Sequence, residues 1–193
     1  MLLTIVAQDN FELEQLDVKT VFWHGDLDET IYMDQPESFV NVSKPSHVCL
    51  LKKSLYGLKQ STMQWNRRFD KFILQNGYSK NIHDPCVYFR KLPNKFMIYL
   101  LLYVDDMLIT TKSKADLYQL KQQLSSKFDM KDLGAARKNL GIEILRDREV
   151  CSICLSQEQY VKKVLFRFGM KNVKPVTTFF ANHFMLSAYQ SIL

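Results

Sequence analysis

No stretch of this 193-residue chain stays apolar long enough to cross a bilayer as a helix. The longest uncharged run, Phe96 to Val104, is about half of the roughly 20 residues a spanning helix needs, and Asp105 and Asp106 close it. A secretory signal is missing as well: Met1 to Val6 are apolar, but they lack a basic n-region and a small-residue cleavage site. A cytoplasmic, intracellular protein that is not secreted is therefore the expectation. Cysteine is sparse, at Cys49, Cys86, Cys151 and Cys154. The last two are spaced C-x-x-C, yet no second pair stands nearby to complete a zinc site, and all four are read as ordinary thiols. There is no internal repeat, low-complexity tract or obvious interdomain linker, so the length suggests one domain or one and a half.

What is present is enough apolar material for a core, 47% of residues, together with a net charge of +6. A basic balance favours an anionic partner, and nucleic acid is the commonest large one, although solvated Lys-rich faces give the same sign.

Three helices are legible from their punctuation. "STMQWNRRFDKFILQNG" puts Trp65, Phe69, Phe72 and Ile73 at helical spacing, with Ser61 as N-cap and Gly77 just past the end. "SKADLYQLKQQLSSKF" opens with the capping pattern Ser113-x-x-Asp116 and repeats Leu117, Leu120 and Leu124 on one face. "SQEQYVKKVLFRFG" opens with Ser156-x-x-Gln159 and closes at Gly169. Strand-like runs lie at Phe11 to Asp17, Cys86 to Lys91, Phe96 to Val104, Met107 to Thr111, Leu140 to Leu145 and Val150 to Leu155. Helices mixed with antiparallel hairpins predict an α+β layer. The apolar residues of Ile98 to Val104 do not alternate with polar ones, which predicts a strand covered on both faces.

The chemistry concentrates at carboxylates. Asp105 and Asp106 sit between two buried-looking strands, where a hairpin tip suits aspartate because its side chain bonds nearby backbone N–H groups. Two unscreened charges about 5 Å apart at an effective dielectric of about 20 cost roughly 3 kcal/mol, a repulsion that a divalent cation offsets. Asp17 ends another strand-like run, where a capping role is the plain alternative.

The segments "QLDVKTVFWHGDLDETIYMDQPESF", "CLLKKSLYGLKQS", "DPCVYF", "YLLLYVDDMLI", "FDMKDLG", "LGIEI" and "LSQEQYVKKVLFRFGM" occur in the order found in one family and cover nearly the whole chain. Together the chain resembles the reverse transcriptase of copia-type retrotransposon Pol polyproteins. The resemblance implies a right-hand polymerase: a palm on a ferredoxin-like antiparallel sheet over about residues 1–150, part of the fingers inserted at about 25–58, and the start of a thumb over 151–193. It implies RNA-directed DNA synthesis on an RNA or DNA template with a primer and deoxynucleoside triphosphates. Asp17, Asp105 and Asp106 match the family's metal-binding triad, holding two Mg²⁺, or Mn²⁺, for attack of the primer 3′-hydroxyl. Phe22 matches an aromatic residue that excludes a 2′-hydroxyl, or is simply core. Gly57 and Lys59 resemble the loop that cups the incoming nucleotide, or a turn glycine and a surface lysine. Tyr103 and Val104 flank the acidic pair and would touch primer or nucleotide. Lys131 matches a lysine thought to assist phosphate chemistry, and Lys162, Lys163 and Arg167 would meet nucleic-acid phosphates.

The chain departs from the family pattern at Thr62 and Met63, where proline and arginine are usual, at Trp23 and His24 in place of leucine and asparagine, and at Phe179 in place of proline. The match begins at Met1 in the segment just before Asp17, so fingers strands, a full thumb and an RNase H domain are expected to be missing. A truncated remnant that retains its triad is the resulting reading. The alternative is an inactive remnant that binds nucleic acid at most. A nucleotide cyclase on a similar sheet is disfavoured by the Tyr-Val-Asp-Asp turn.

Overall fold

The computed structural model describes residues 2–21, 27–93 and 95–174. Two compact units divide the chain, Met1–Ser156 and Gln157–Leu193. The first is an α+β layer around a six-stranded antiparallel sheet.

In chain order, the short helix α1 (Leu2–Gln8) leads into β1 (Glu12–Val18). A small two-stranded ribbon follows, β2 (Tyr32–Met33) with β3 (Cys49–Leu50), before helix α2 (Ser61–Gln75). Then come β4 (Ser79–Lys80), β5 (Val87–Lys91), β6 (Met97–Tyr103) and β7 (Asp106–Thr111). Helix α3 (Lys114–Ser125) precedes β8 (Met130–Ala135), β9 (Lys138–Asn139), β10 (Ile142–Asp147) and β11 (Ser152–Ser156). The large sheet has the order β4-β5-β6-β7-β1-β8, every neighbouring pair antiparallel. A separate three-stranded sheet runs β11-β10-β9.

One face of the large sheet lies under α2 and α3. Trp65, Phe69, Ile73, Leu117, Leu120 and Leu124 pack there on Leu16, Val18, Ile98, Leu100, Met107 and Ile109, all buried. Phe128 closes the cluster, edge-on to Trp65 at 5.1 Å between ring centroids. The other face is covered only in part. A smaller cluster of Val6, Phe11, Leu13, Leu108 and Ile144 occupies one end. Strand β6 reflects this asymmetry: Ile98, Leu100 and Leu102 are buried, while Tyr99 and Leu101 are half-buried and Tyr103 is exposed. The expectation of a strand buried on both faces is thus corrected, because the second cluster stops short of the Tyr103 end.

The helix punctuation is right at some ends and wrong at others. Ser113 caps α3, its Oγ accepting from the Asp116 N–H at 3.3 Å. Gly77, at φ +79°, ends α2 as expected: its N–H donates to the Leu74 carbonyl and the Tyr78 N–H to the Ile73 carbonyl. Ser61, by contrast, is the first residue of α2 and not its cap, and its hydroxyl donates back to the Leu55 carbonyl. Ser156 is the last residue of β11, so Gln157 takes the cap position of α4 (Glu158–Arg167). Ser61 is committed to the preceding turn through its hydroxyl, whereas α4 starts one residue later than the Ser156 pattern predicts. Strand β8 was not foreseen, because "MKDLGA" has too few apolar residues to read as a strand. Its place in the sheet comes from its pairing with β1.

Replacing Ser113 with Ala is expected to cost about 1 kcal/mol through loss of the cap. Urea unfolding of the 193-residue chain reads this as a lower midpoint at unchanged slope.

Candidate active site

The strand register assembles the site. Tyr103 on β6 opposes Asp106 on β7, Asp106 opposes Asp17 on β1, and Asp17 opposes Lys131 on β8. Directly opposed residues of antiparallel strands project to the same side. Tyr103, Asp106, Asp17 and Lys131 therefore form one rung across four strands, on the face away from the helices.

Asp105 sits at the end of that rung, in the two-residue turn between β6 and β7. Two-residue hairpin loops favour glycine at the first position because it needs positive φ. Here that position is Val104, at φ +57°. A β-branched residue in this region carries strain on the order of 1–3 kcal/mol, and it persists only where the surroundings hold it. Two contacts do so. The buried Trp65 donates its indole N–H to the Val104 carbonyl at 2.7 Å, and the Val18 N–H donates to the Asp105 carbonyl at 3.0 Å. The Val104 side chain also packs against the main core.

The Asp17 carboxyl senses its two acidic neighbours. Partial burial, then Asp105, then Asp106, push the Asp17 carboxyl above its ordinary range, and Lys131 and Lys19 offset this in part. Lys19 is itself paired with Asp129 at 3.2 Å. Oxygen donors of this kind suit a hard cation such as Mg²⁺ better than they suit a soft one. Among the described residues, however, no group of three or more His, Cys, Asp or Glu closes on a single metal position. The donor chemistry fits the ion; Asp17 and Asp106 supply the opposed pair.

Two residues that the sequence did not single out belong here. Tyr56, in the turn before α2, is largely exposed, and its phenol is held above its ordinary range by partial burial and then by Asp105 and Asp17. Gln15, buried one rung behind Asp17, donates its side-chain N–H to Asp106 Oδ1 at 3.1 Å. No sequence signal marks Gln15, whereas Tyr56 lies within the "SLYGLKQS" segment that was noted for its neighbours. A cleft of about 590 Å³ runs beside Asp106 and Gln15, bounded by Leu133, Arg137, Lys138 and Leu140.

The other expected residues separate. Gly57 lies in the same exposed turn as Tyr56, and Lys59 is exposed in the next turn. Gly57 has φ +92° and open space where a Cβ would stand, so the turn conformation, not close approach of another part of the chain, requires it. Phe22 lies outside the described residues. Lys162, Lys163 and Arg167 are exposed on α4, in the second unit, and Lys162 pairs with Glu158 at 2.6 Å.

Comparison with known proteins gives the family. The family model described as reverse transcriptase (RNA-dependent DNA polymerase) matches residues 1–182. The chain belongs to this family. It is 53% identical, over 96% of its length, to the retrovirus-related Pol polyprotein from transposon TNT 1-94 of Nicotiana tabacum, of which it covers 14%. It is 34% identical over 98% of its length to the Pol polyprotein from transposon RE1 of Arabidopsis thaliana, covering 13% of that protein. The corresponding values for RE2 of the same plant are 34%, 92% and 12%. The reverse transcriptase domain of copia-type Pol polyproteins is thus the family context, and the chain spans about one seventh of the TNT 1-94 polyprotein. No helix among the described residues is long and apolar enough to cross a membrane.

Because its carboxyl titrates at a raised pKa in the folded chain, Asp17 destabilises the fold increasingly as pH rises through that value. Asp17→Asn removes this effect. Without divalent cations, the variant is expected to melt above the unsubstituted chain at neutral pH. The gap should close as pH falls below the ordinary aspartate value of 3.8, measured by thermal melts at constant ionic strength.

Proposed function

We propose that this chain is the palm-centred part of a reverse transcriptase that extends a primer on an RNA or DNA template by two-metal nucleotidyl transfer. The observation that carries the reading is the single rung holding Asp106, Asp17 and Lys131, with Asp105 in the adjoining turn. The element order β1-α2-β6-β7-α3-β8, with spatial order β6-β7-β1-β8, supports a palm on a ferredoxin-like sheet. Residues of about 25–58 are assigned to an inserted fingers segment. The segment from about residue 151 is assigned to the start of a thumb, and the compact second unit, Gln157–Leu193, falls within it.

Asp17, Asp105 and Asp106 would hold the cations. Mg²⁺ or Mn²⁺, when bound, supplies charge neutralisation at the attacking hydroxyl and at the leaving pyrophosphate. The chain's own residues do the remaining work. Carboxylates kept close at a partly buried edge favour cation binding because it relieves their repulsion. Lys131, opposed to Asp17, brings a positive charge to the side where triphosphate oxygens would lie. Tyr103 and the turn at Tyr56 and Gly57 bound the edge, where they would position sugar and base. Arg137 and Lys138 line the cleft beside Asp106, which would place primer phosphates against cations. Lys163 and Arg167 are assigned to phosphates of the duplex. Lys162 contributes less, since Glu158 already neutralises it.

Primer extension on an RNA template with deoxynucleoside triphosphates and Mg²⁺ or Mn²⁺ tests this. It is run on the chain itself and on the chain grafted in place of the matching segment of the tobacco polyprotein. Templated synthesis is expected in the graft, reduced at least about 100-fold by Asp105→Asn, the scale of losing one electrostatic stabiliser. A folded graft that binds primer–template but does not extend it would favour the inactive, binding-only alternative. Millimolar Mn²⁺ should also raise the melting temperature of the 193-residue chain, since saturation to 100 times the dissociation constant contributes about 2.7 kcal/mol. Asp106→Asn should abolish most of that response.

A further inference from the structure

Gln15 is an anomaly of placement. It is 7% exposed, in the middle of β1, on a rung whose other members are Leu101, Leu108 and Gly134. Burying a carboxamide among such neighbours is unfavourable unless it finds partners, so the position would be more stable with an apolar side chain if packing were its purpose. The amide is not turned toward the main core. Its side of β1 is shared with Leu13 and Asp17, two residues away in each direction, and it points along the sheet to the diagonal neighbour on β7, Asp106. The 3.1 Å bond from Gln15 Nε2 to Asp106 Oδ1 is the result. Across from Gln15 on β8 stands Gly134, at φ +69°, and the strand bulges there so that Leu133 has no partner on β1.

We infer that Gln15 is a positioning residue for the carboxylate of Asp106, fixing which of its oxygens is left to a divalent cation. An aspartate at the start of a strand can rotate about its terminal torsion. With Oδ1 engaged behind the rung, that rotation is arrested and Oδ2 is the oxygen left for a cation. The donor is a neutral amide, so it orients the carboxylate without competing as a cation and without adding a fourth negative charge. Partners of this kind commonly govern metal affinity 10- to 100-fold. The inference rests on the metal-binding reading above, which itself names only the three aspartates.

The test uses Mn²⁺ alone on the full 193-residue chain, with binding followed by loss of the free-ion electron paramagnetic resonance signal and by thermal melting. Gln15→Met keeps the length and loses the donor. It is expected to leave the metal-free melting temperature unchanged or raised, while weakening Mn²⁺ binding about 10-fold or more. Gln15→Leu, which is also uncharged and lacks the donor, serves if the methionine variant does not fold, with the same expected weakening. A purely structural role would instead lower the metal-free melting temperature and leave the Mn²⁺ dissociation constant where it was. A cycle with Asp106→Asn separates direct from indirect action: in that background Gln15→Met should change Mn²⁺ binding no further. Equal Mn²⁺ affinity in the unsubstituted chain and both Gln15 variants overturns the inference while leaving the metal site standing. Absence of any Mn²⁺ binding by the unsubstituted chain overturns the metal site, and the role of Gln15 with it.

Discussion

A single indole hydrogen bond supports the geometry of the whole acidic edge. Val104 occupies a backbone conformation that valine resists, and the Trp65 N–H on its carbonyl is what helix α2 contributes to hold it there. Trp65 has little freedom to do otherwise. It is fully buried, 5.6 Å from Phe69 and 5.1 Å from Phe128 between ring centroids, so the aromatic cluster fixes the direction of the indole. Core packing on one face of the sheet is thereby converted into a defined turn at its end. The main-chain bond from Val18 to the Asp105 carbonyl then ties the turn to β1, and so to Asp17.

The electrostatic consequence is a compromise between folding and function. Partial burial, and after it the neighbouring Asp105 and Asp106, hold the Asp17 carboxyl above its ordinary range, and the fold carries that cost without a cation. Compensation is local and incomplete: Lys131 opposes Asp17 directly, Lys19 acts from the next turn, and Gln15 satisfies one oxygen of Asp106. Elsewhere several acids are paired in the ordinary way. Lys121 bridges Glu14 and Asp132, joining α3 to β1 and β8, and Asp70 accepts from both Lys80 and Tyr88. Carboxylates left only partly compensated at the ends of β1 and β7 suit the proposed cation- and phosphate-binding surface.

How much of this was legible depended on how local the signal was. Helix α3 was readable down to its cap, because Ser113, Asp116 and the leucines at Leu117, Leu120 and Leu124 all act within a few residues. The hairpin at Asp105 and Asp106 was readable for the same reason. Ser61 misled because its hydroxyl is committed to the preceding turn, and Ser156 because it ends β11 one residue before the cap of α4. Gln15 and strand β8 gave no signal. A glutamine that follows Glu14 in the run Glu14-Gln15-Leu16 reads as a solvent-facing polar residue, and only the register with β7 reveals that its partner is 91 residues away.

By itself, the sequence determined the layer class, the three longer helices and the identity of the acidic residues, because periodicity, caps and turn chemistry are encoded over short spans. The order of its motifs also determined the family. Tertiary structure decided which residues meet: that Asp17 opposes Asp106, that Lys131 completes the rung, that Tyr56 senses Asp105, and that Gln15 faces a carboxylate instead of solvent. Those outcomes follow from strand order and register, which are set by burial of the two sheet faces. A shift of one residue would have sent Asp17 into the core under α2 and turned Leu16 out to water. The apolar cost of that slip, carried by residues remote from the chemistry, is what holds the carboxylates in line.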